Sequence, residues 1–509
     1  MPIHSSQHQL KVSENHTVIG MDKVRVGVAA LLAGAACLPL MWNALYASST
    51  EQHIATLSIT ISILAVSCAF LLLASPELRQ GFAHWRLGPW YVICYGLTFG
   101  AASLAWLHPR LDSVSSQIRL DAVEAALQLS LVGLIVWVLG YMIGPPALFL
   151  RVANRAMALA HSGLEPELQT GSRIWSLYGI GTLAKLLTAV LTSSFGYLTV
   201  DPSAGVSSAA SYSLLLGILS GLSTVAVAMA AYDAFSREQG SRKTLILLVA
   251  IEFLVGSVSG TKIYFVTTIL AVILAYGARR GTLPKRGISL GLIIFLLVVI
   301  PFTATYRTTV RGGQNFSPSQ GASVAPSILN ESVRNDSLSD TVGSSLTYLT
   351  ERLREIDSVA IIRQRTPSAI PFRNPRDLLA APLVGMIPRV LWPGKPILSS
   401  GYNFTVEYYG FPGLYTSSAI APQGDLYRYG GYPVVAFGMY LFGLFCRLLD
   451  RCLLPERDPR GMFFIILLVP LIVRSEIDIA TMLTSLPSIF IAGALAIRLA
   501  SRPVRSREG

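Results

Sequence analysis

A chain of 509 residues that is 52% hydrophobic and only 13% charged, with a mean hydropathy of +0.54, excludes an ordinary soluble domain, which carries about 25% charged residues. The net charge of +12 would suggest nucleic acid in a soluble protein, but much of it lies in short loops beside apolar segments. Membrane topology accounts for charge placed there, so the composition argues for an all-α polytopic membrane protein and against nucleic acid.

The polar start of the chain ends in Lys23 and Arg25 with no small-residue cleavage site after a short apolar core, so the first apolar segment is expected to be a retained helix. A span needs about 20 mostly apolar residues. Twelve segments qualify: 26–46, 54–74, 88–107, 123–144, 174–198, 212–234, 244–259, 262–278, 287–305, 431–449, 461–474 and 480–499. An even number places both termini on one side. Arg79 and Arg86, Arg151, Arg155 and Arg173, Arg237, Arg242 and Lys243, Arg279 to Arg286, Arg451 to Arg460, and Arg498 to Arg507 all fall on that side too. It is therefore expected to be cytoplasmic. The opposite loops 48–53 and 201–211 carry no Lys or Arg, and Arg110 and Arg119 are a mild exception.

Three domains follow: a nine-span bundle over 1–304, a large periplasmic loop over 305–430, and a three-span bundle over 431–509. No internal repeat divides the chain further. Cys37, Cys68, Cys94 and Cys446 sit in apolar segments and Cys452 in a basic loop, so no disulfide framework is implied. The junction Gly256 to Lys262 reads as a Gly-rich turn that would leave Lys262 near or below the outer surface.

The outer insertion between Thr305 and Tyr415 is dense in cations: Arg307, Arg311, Arg334, Arg352, Arg354, Arg363, Arg365, Arg373, Arg376, Arg389 and Lys395. Topology does not explain them, whereas a phosphate-bearing substrate does. Within it, 346–361 repeats Leu346, Leu349, Leu353, Ile356 and Val359 at helical spacing, predicting an amphipathic helix on the membrane surface or over the bundle. From Arg363 to Pro396 there are seven prolines and six basic residues against one acid, Asp377. Proline at this density predicts an irregular, stiff path rather than a long helix. Its apolar runs 378–384 and 390–392 predict a dip into the interface, where a wet, cationic wall could hold a lipid-linked anion. Solvated surface arginines are the competing explanation.

Tyr402, Glu407, Tyr408 and Tyr409, followed by Gly424, Asp425, Tyr427, Arg428 and Gly430-Gly431, interleave rings with carboxylates, as sugar recognition requires. A membrane-interface aromatic belt has the same composition. Arg474, Glu476 and Asp478 would be costly inside a helix, about 2.5–3.5 kcal/mol each at mid-membrane. They are expected either to face a cavity or to form an outer turn. Lys185 and Glu252, within spans, are expected to pair. Phosphate-loop, His-Glu-x-x-His and Cys-x-x-Cys motifs are missing, and the large loop has no histidine.

Pro388-Arg389, Trp392-Pro393-x-Lys395-Pro396, and the stretch through Gly424, Tyr427 and Gly430-Gly431 into the next span resemble O-antigen polymerases, the Wzy-like repeat-unit polymerases. The Ser259-Gly260-Thr261-Lys262 turn and Arg307 with Arg311 are similar too. The resemblance implies a bacterial inner-membrane glycosyltransferase of the C-type superfamily that joins undecaprenyl-diphosphate-linked oligosaccharides, donor and acceptor both lipid-linked. It implies no metal, nucleotide sugar or other cofactor, with a chain-length regulator and a flippase as candidate partners in the bilayer. On this basis Arg307, Arg311, Arg389 and Lys395, with Arg428 in reserve, would hold the diphosphate. Arg474, Lys262, Trp392, Tyr402, Tyr408 and Tyr409 complete the expected substrate contacts. Glu407, Asp425, Glu476 and Asp478 are the candidate catalytic carboxylates, and the sequence does not choose among them. An O-antigen ligase shares topology and donor but is expected to use a loop histidine. Another lipid-diphosphate glycosyltransferase, or a transporter or flippase, is the remaining alternative.

Overall fold

The computed structural model describes residues 23–74, 86–108, 115–169, 171–191, 208–236, 242–259, 262–302, 338–396, 401–410, 418–455 and 458–503. Its helices are α1 (Lys23–Tyr46), α2 (Thr50–Leu73), α3 (Leu87–Leu107), α4 (Leu120–Ile143), α5 (Ala147–His161), α6 (Ser172–Leu191), α7 (Ser208–Ala234), α8 (Arg242–Ser259), α9 (Lys262–Arg280) and α10 (Lys285–Phe302). After the insertion's start come α11 (Leu338–Leu353), α12 (Ile356–Arg365), α13 (Pro375–Met386), α14 (Gly401–Tyr409) and α15 (Pro422–Arg428). The chain continues through α16 (Gly431–Cys452), α17 (Gly461–Ile472) and α18 (Ile479–Ala500).

Among the described residues ten helices are long and apolar enough to cross a membrane, two fewer than the expected twelve. The two exceptions are helical but fail for different reasons. The α8 helix carries Arg242, Lys243 and Glu252 in eighteen residues. The α17 helix has twelve residues, about 18 Å of rise against a hydrocarbon core of about 30 Å. It is apolar all round and nearly all buried, as befits a helix enclosed by others rather than one facing lipid.

The central seam joins α4 to α16. A Cβ on Gly140 would stand 2.2 Å from the Tyr440 carbonyl oxygen, and one on Gly443 would stand 2.1 Å from that of Trp137. Only glycine allows the two backbones so close, and small residues at helix contacts are how membrane helices pack tightly. Tyr91, Trp137 and Tyr141 stack beside the seam, with ring centroids 4.6 and 5.4 Å apart. At its end Asp450 caps α3: its carboxylate accepts from Leu87 N at 2.7 Å, Gly88 N at 3.0 Å and the Tyr141 hydroxyl at 2.6 Å. The expected Lys185–Glu252 pair forms between α6 and α8, with Nζ 2.9 and 3.0 Å from the two carboxylate oxygens.

Three local expectations are corrected. The fold is not wholly helical: β1 (Leu164–Leu168) pairs antiparallel with β2 (Ser501–Pro503). The amphipathic helix over 346–361 is two helices, broken at Arg354–Glu355. Arg354 there donates to Asp357 at 2.9 Å and lies over the Trp106 ring, while Trp106 Nε1 donates to the same carboxylate at 2.8 Å. The break separates environments, leaving Leu346 and Leu353 exposed but Ile356 and Val359 fully buried. The proline-rich tract also contains a twelve-residue helix, α13. Pro375 sits in its first turn, where no amide hydrogen is needed, and Asn374 caps it by accepting from Arg376 N at 3.0 Å. Irregular backbone fills the rest of the tract, over 366–374 before that helix and 387–396 after it.

Candidate functional site

The ends of α12, α14, α15 and α18 bring a charged network together. Arg373 Nη2 donates to Glu407 Oε2 at 2.5 Å, and Arg428 Nη2 reaches the same oxygen at 3.3 Å. Arg428 Nη1 is 3.3 Å from Asp425 Oδ1, while Asp425 Oδ2 accepts from Ala480 N at 3.1 Å. The backbone closes the group, for Arg373 N donates to Arg428 O at 2.7 Å. Arg428 and Asp425 are fully buried, whereas Glu407 keeps 32% of its side chain exposed and Arg373 keeps 26%. The network is therefore a buried pair with one exposed rim.

Aromatic faces line it. Arg428 lies 5.6 Å from the Phe404 ring and 5.4 Å from that of Tyr408. Arg363 donates to the Tyr427 hydroxyl and stands over the rings of Tyr427 and Tyr432, at 4.6 and 5.1 Å. Tyr408 shares a 2.8 Å hydrogen bond with Thr366. These contacts fix cationic groups against flat apolar surfaces, which strengthens their fields by excluding water. The turn that leads out of the network into α16 needs glycine, because Gly431 has φ +70°.

Electrostatics single out the buried carboxylate beside Arg428. Burial, and then the neighbouring Asp478, push Asp425 up to about 6 against the pull of Arg428. Asp425 thus takes up its proton well above the range of an exposed aspartate. Asp478 spends one oxygen as the N-cap of α18, accepting from Thr481 N at 2.7 Å. Burial works against the charge on Arg373, but Glu407 outweighs it and raises the guanidinium further.

The other residues singled out by sequence are spread around this centre. Arg474 and Glu476 form a half-exposed pair at 3.2 Å, in the turn between α17 and α18 rather than within a helix. That same turn holds Asp478, so the three residues lie in a turn between helices and not inside one. Glu476 adds to burial in pushing Glu355 well above the usual carboxylate range, together with Asp357. Arg389, Trp392 and Lys395 follow α13, where Lys395 Nζ donates to Ile387 O at 2.9 Å. Burial and then Arg389 lower the Lys395 ammonium. Around them Leu379, Leu383 and Leu391 are largely exposed, so this segment presents apolar side chains outward beside its cations. Tyr408 and Tyr409 are buried against Phe404. Arg307 and Arg311 lie outside the described residues, and the side chains of Lys262 and Tyr402 lie outside them too.

Sequence reading named Tyr427 within the ring-rich stretch and Arg363 and Arg373 among the loop cations without making them site contacts, and it passed over Tyr432. Arg373 was one of six cations in its tract, and its ion pair with Glu407 and backbone bond to Arg428 are what distinguish it. The Arg428–Asp425 spacing of three residues was the available signal, since it puts both on one helix face.

These features define a polytopic α-helical membrane protein whose polar site is built from segments between its spans. Residues 172–452, more than half of the chain, match the family DUF8712, a domain of unknown function, and the chain belongs to that family. The match includes Arg373, Glu407, Asp425 and Arg428, and stops before Asp478 and Ala480. No curated protein and no solved structure matches the chain.

Proposed function

We propose that this protein polymerises undecaprenyl-diphosphate-linked oligosaccharide repeat units at the periplasmic face of a bacterial inner membrane, with both termini in the cytoplasm. The observation that carries this reading is the convergence of Arg373 and Arg428 on the half-exposed Glu407, with Asp425 buried behind them. Two clustered guanidiniums suit a diphosphate, whose oxygens accept bidentate hydrogen bonds. The charge bias of the short loops supports the orientation.

In this reading Glu407 occupies the anion's place in the empty site. Arriving diphosphate takes over hydrogen bonds from Arg373 and Arg428 and releases the carboxylate. The acceptor hydroxyl then attacks the donor's anomeric carbon. Its proton passes to Glu407, the new glycosidic C–O bond forms, and the bond to the lipid diphosphate breaks. Negative charge accumulates on the leaving diphosphate, where the two arginines act most strongly. The rings of Tyr427 and Tyr432 offer flat surfaces for pyranose stacking.

Deleting the gene should leave surface glycan carrying single repeat units, read as loss of the ladder on a polysaccharide gel. Complete loss of glycan would point instead to a flippase, and unchanged ladders would remove the proposal. Glu407→Gln should abolish chain extension while leaving protein level intact.

A further inference from the structure

A second polar site lies at the other end of α18, far in sequence from the network. An open cleft of about 340 Å³ is lined by Arg173, Ser176, Leu177, Ile180, Arg498 and Leu499, and closed by Ser501 and Pro503 of β2. No acidic residue lines it. Arg173 is held in place by donating to the carbonyls of Leu499 at 3.0 Å and Ser501 at 2.7 Å, so its charge is fixed at the end of α18. Arg498 is exposed and has no ion-pair partner among the described residues. Ser501 of β2 is 1% exposed, with its hydroxyl turned away from the open cleft and buried.

The apolar part of the cleft has a direction. Ile180 and Leu499 are exposed, at 43% and 38%, on two of the helices apolar enough to cross a membrane. Ile180 lies seven residues into α6 from Arg173, about 10 Å along the axis. Trp175, 41% exposed, stands beside the cations at the helix start, where an interfacial indole sits. Cations and an apolar wall therefore succeed one another as a phospholipid's phosphate and acyl chains do.

We propose that this cleft binds the phosphodiester headgroup of an anionic membrane phospholipid, with Arg498 contacting the phosphate, Arg173 adding its fixed charge beside it, and Ile180 and Leu499 flanking the chains. Cationic pockets at helix ends recognise headgroups by this chemistry. The site is separate from the proposed catalytic network and does not depend on what that network does.

Native mass spectrometry of the full-length protein in neutral detergent tests it, with dioctanoyl phosphatidylglycerol, dioctanoyl phosphatidylcholine and inorganic phosphate as probes. Phosphatidylglycerol should bind in preference to phosphatidylcholine, and millimolar phosphate should not displace it. Arg498→Gln should weaken phosphatidylglycerol binding about tenfold, the loss of one charge-assisted contact. Equal binding of the two lipids, or unaltered binding by Arg498→Gln, would overturn the proposal. Displacement by phosphate would reassign the cleft to a free anion and overturn the lipid.

Discussion

Asp450 and Glu407 are carboxylates that each gather several donors, and their surroundings differ in one decisive way. Asp450 is enclosed, and its oxygens meet two backbone amides and a tyrosine hydroxyl supplied by neighbouring helices. Every partner is fixed by the packing of α3, α4 and α16, so nothing is left to exchange. Glu407 is half-exposed, and its partners are two guanidiniums that bring more charge than one carboxylate neutralises. A structural cap consumes its hydrogen bonds, whereas a site holds them in a form that another anion can replace.

Breaking the enclosed part of each centre should have the largest effect. Arg428→Ala would strand Asp425 and should cost about 3–5 kcal/mol, as losing one partner of a buried pair does; a Tm unchanged in detergent would show that Asp425 finds another partner. Asp450→Ala leaves the α3 amides without acceptors and should cost about 2 kcal/mol or more, with glycan chain length unaltered at permissive temperature. Loss of chain extension by a folded Asp450→Ala protein would erase the distinction drawn between the two carboxylates.

The rim should respond in activity rather than stability. Arg373→Lys keeps the charge but loses the bidentate geometry, and should reduce chain extension about tenfold at constant protein level. Full activity would mean that charge alone suffices. The smallest effect is on pH dependence. Asp425 has its pKa raised from 3.8 to about 6, so the stability it contributes is fully present below pH 3.8 and is lost as pH rises through 6. Thermal unfolding of the wild type should show that fall relative to Asp425→Asn; parallel curves would contradict it.

The helices were legible because an apolar run near the thickness of a bilayer has few other uses. Helices cover parts of all twelve segments, and the starts of α9 and α16 fall where the sequence placed them. What composition could not reveal was enclosure. The α17 segment reads as a span, yet it is short and buried on every side. The break at Arg354 depends on Trp106, nearly 250 residues away, so no local periodicity reports it. The candidate site divides the same way. Glu407, Asp425 and Arg428 were visible as chemistry-bearing residues, but Arg373 joins them only through tertiary contacts. The β ribbon was invisible too, because Leu164–Leu168 has no pattern that names residues 501–503 as its partner.

That ribbon sets the height of a strut. The α18 helix leaves the charged network with Ala480 N on Asp425 and runs for 22 residues, about 33 Å, before β2 fastens its far end to β1. Both ends are therefore indexed to the same rod. Adding one residue to its middle would turn one end by about 100° and shift it by about 1.5 Å relative to the other. Either the ribbon or the Asp425 contact would have to let go, so the length of α18 behaves as a tolerance shared by two places that never touch.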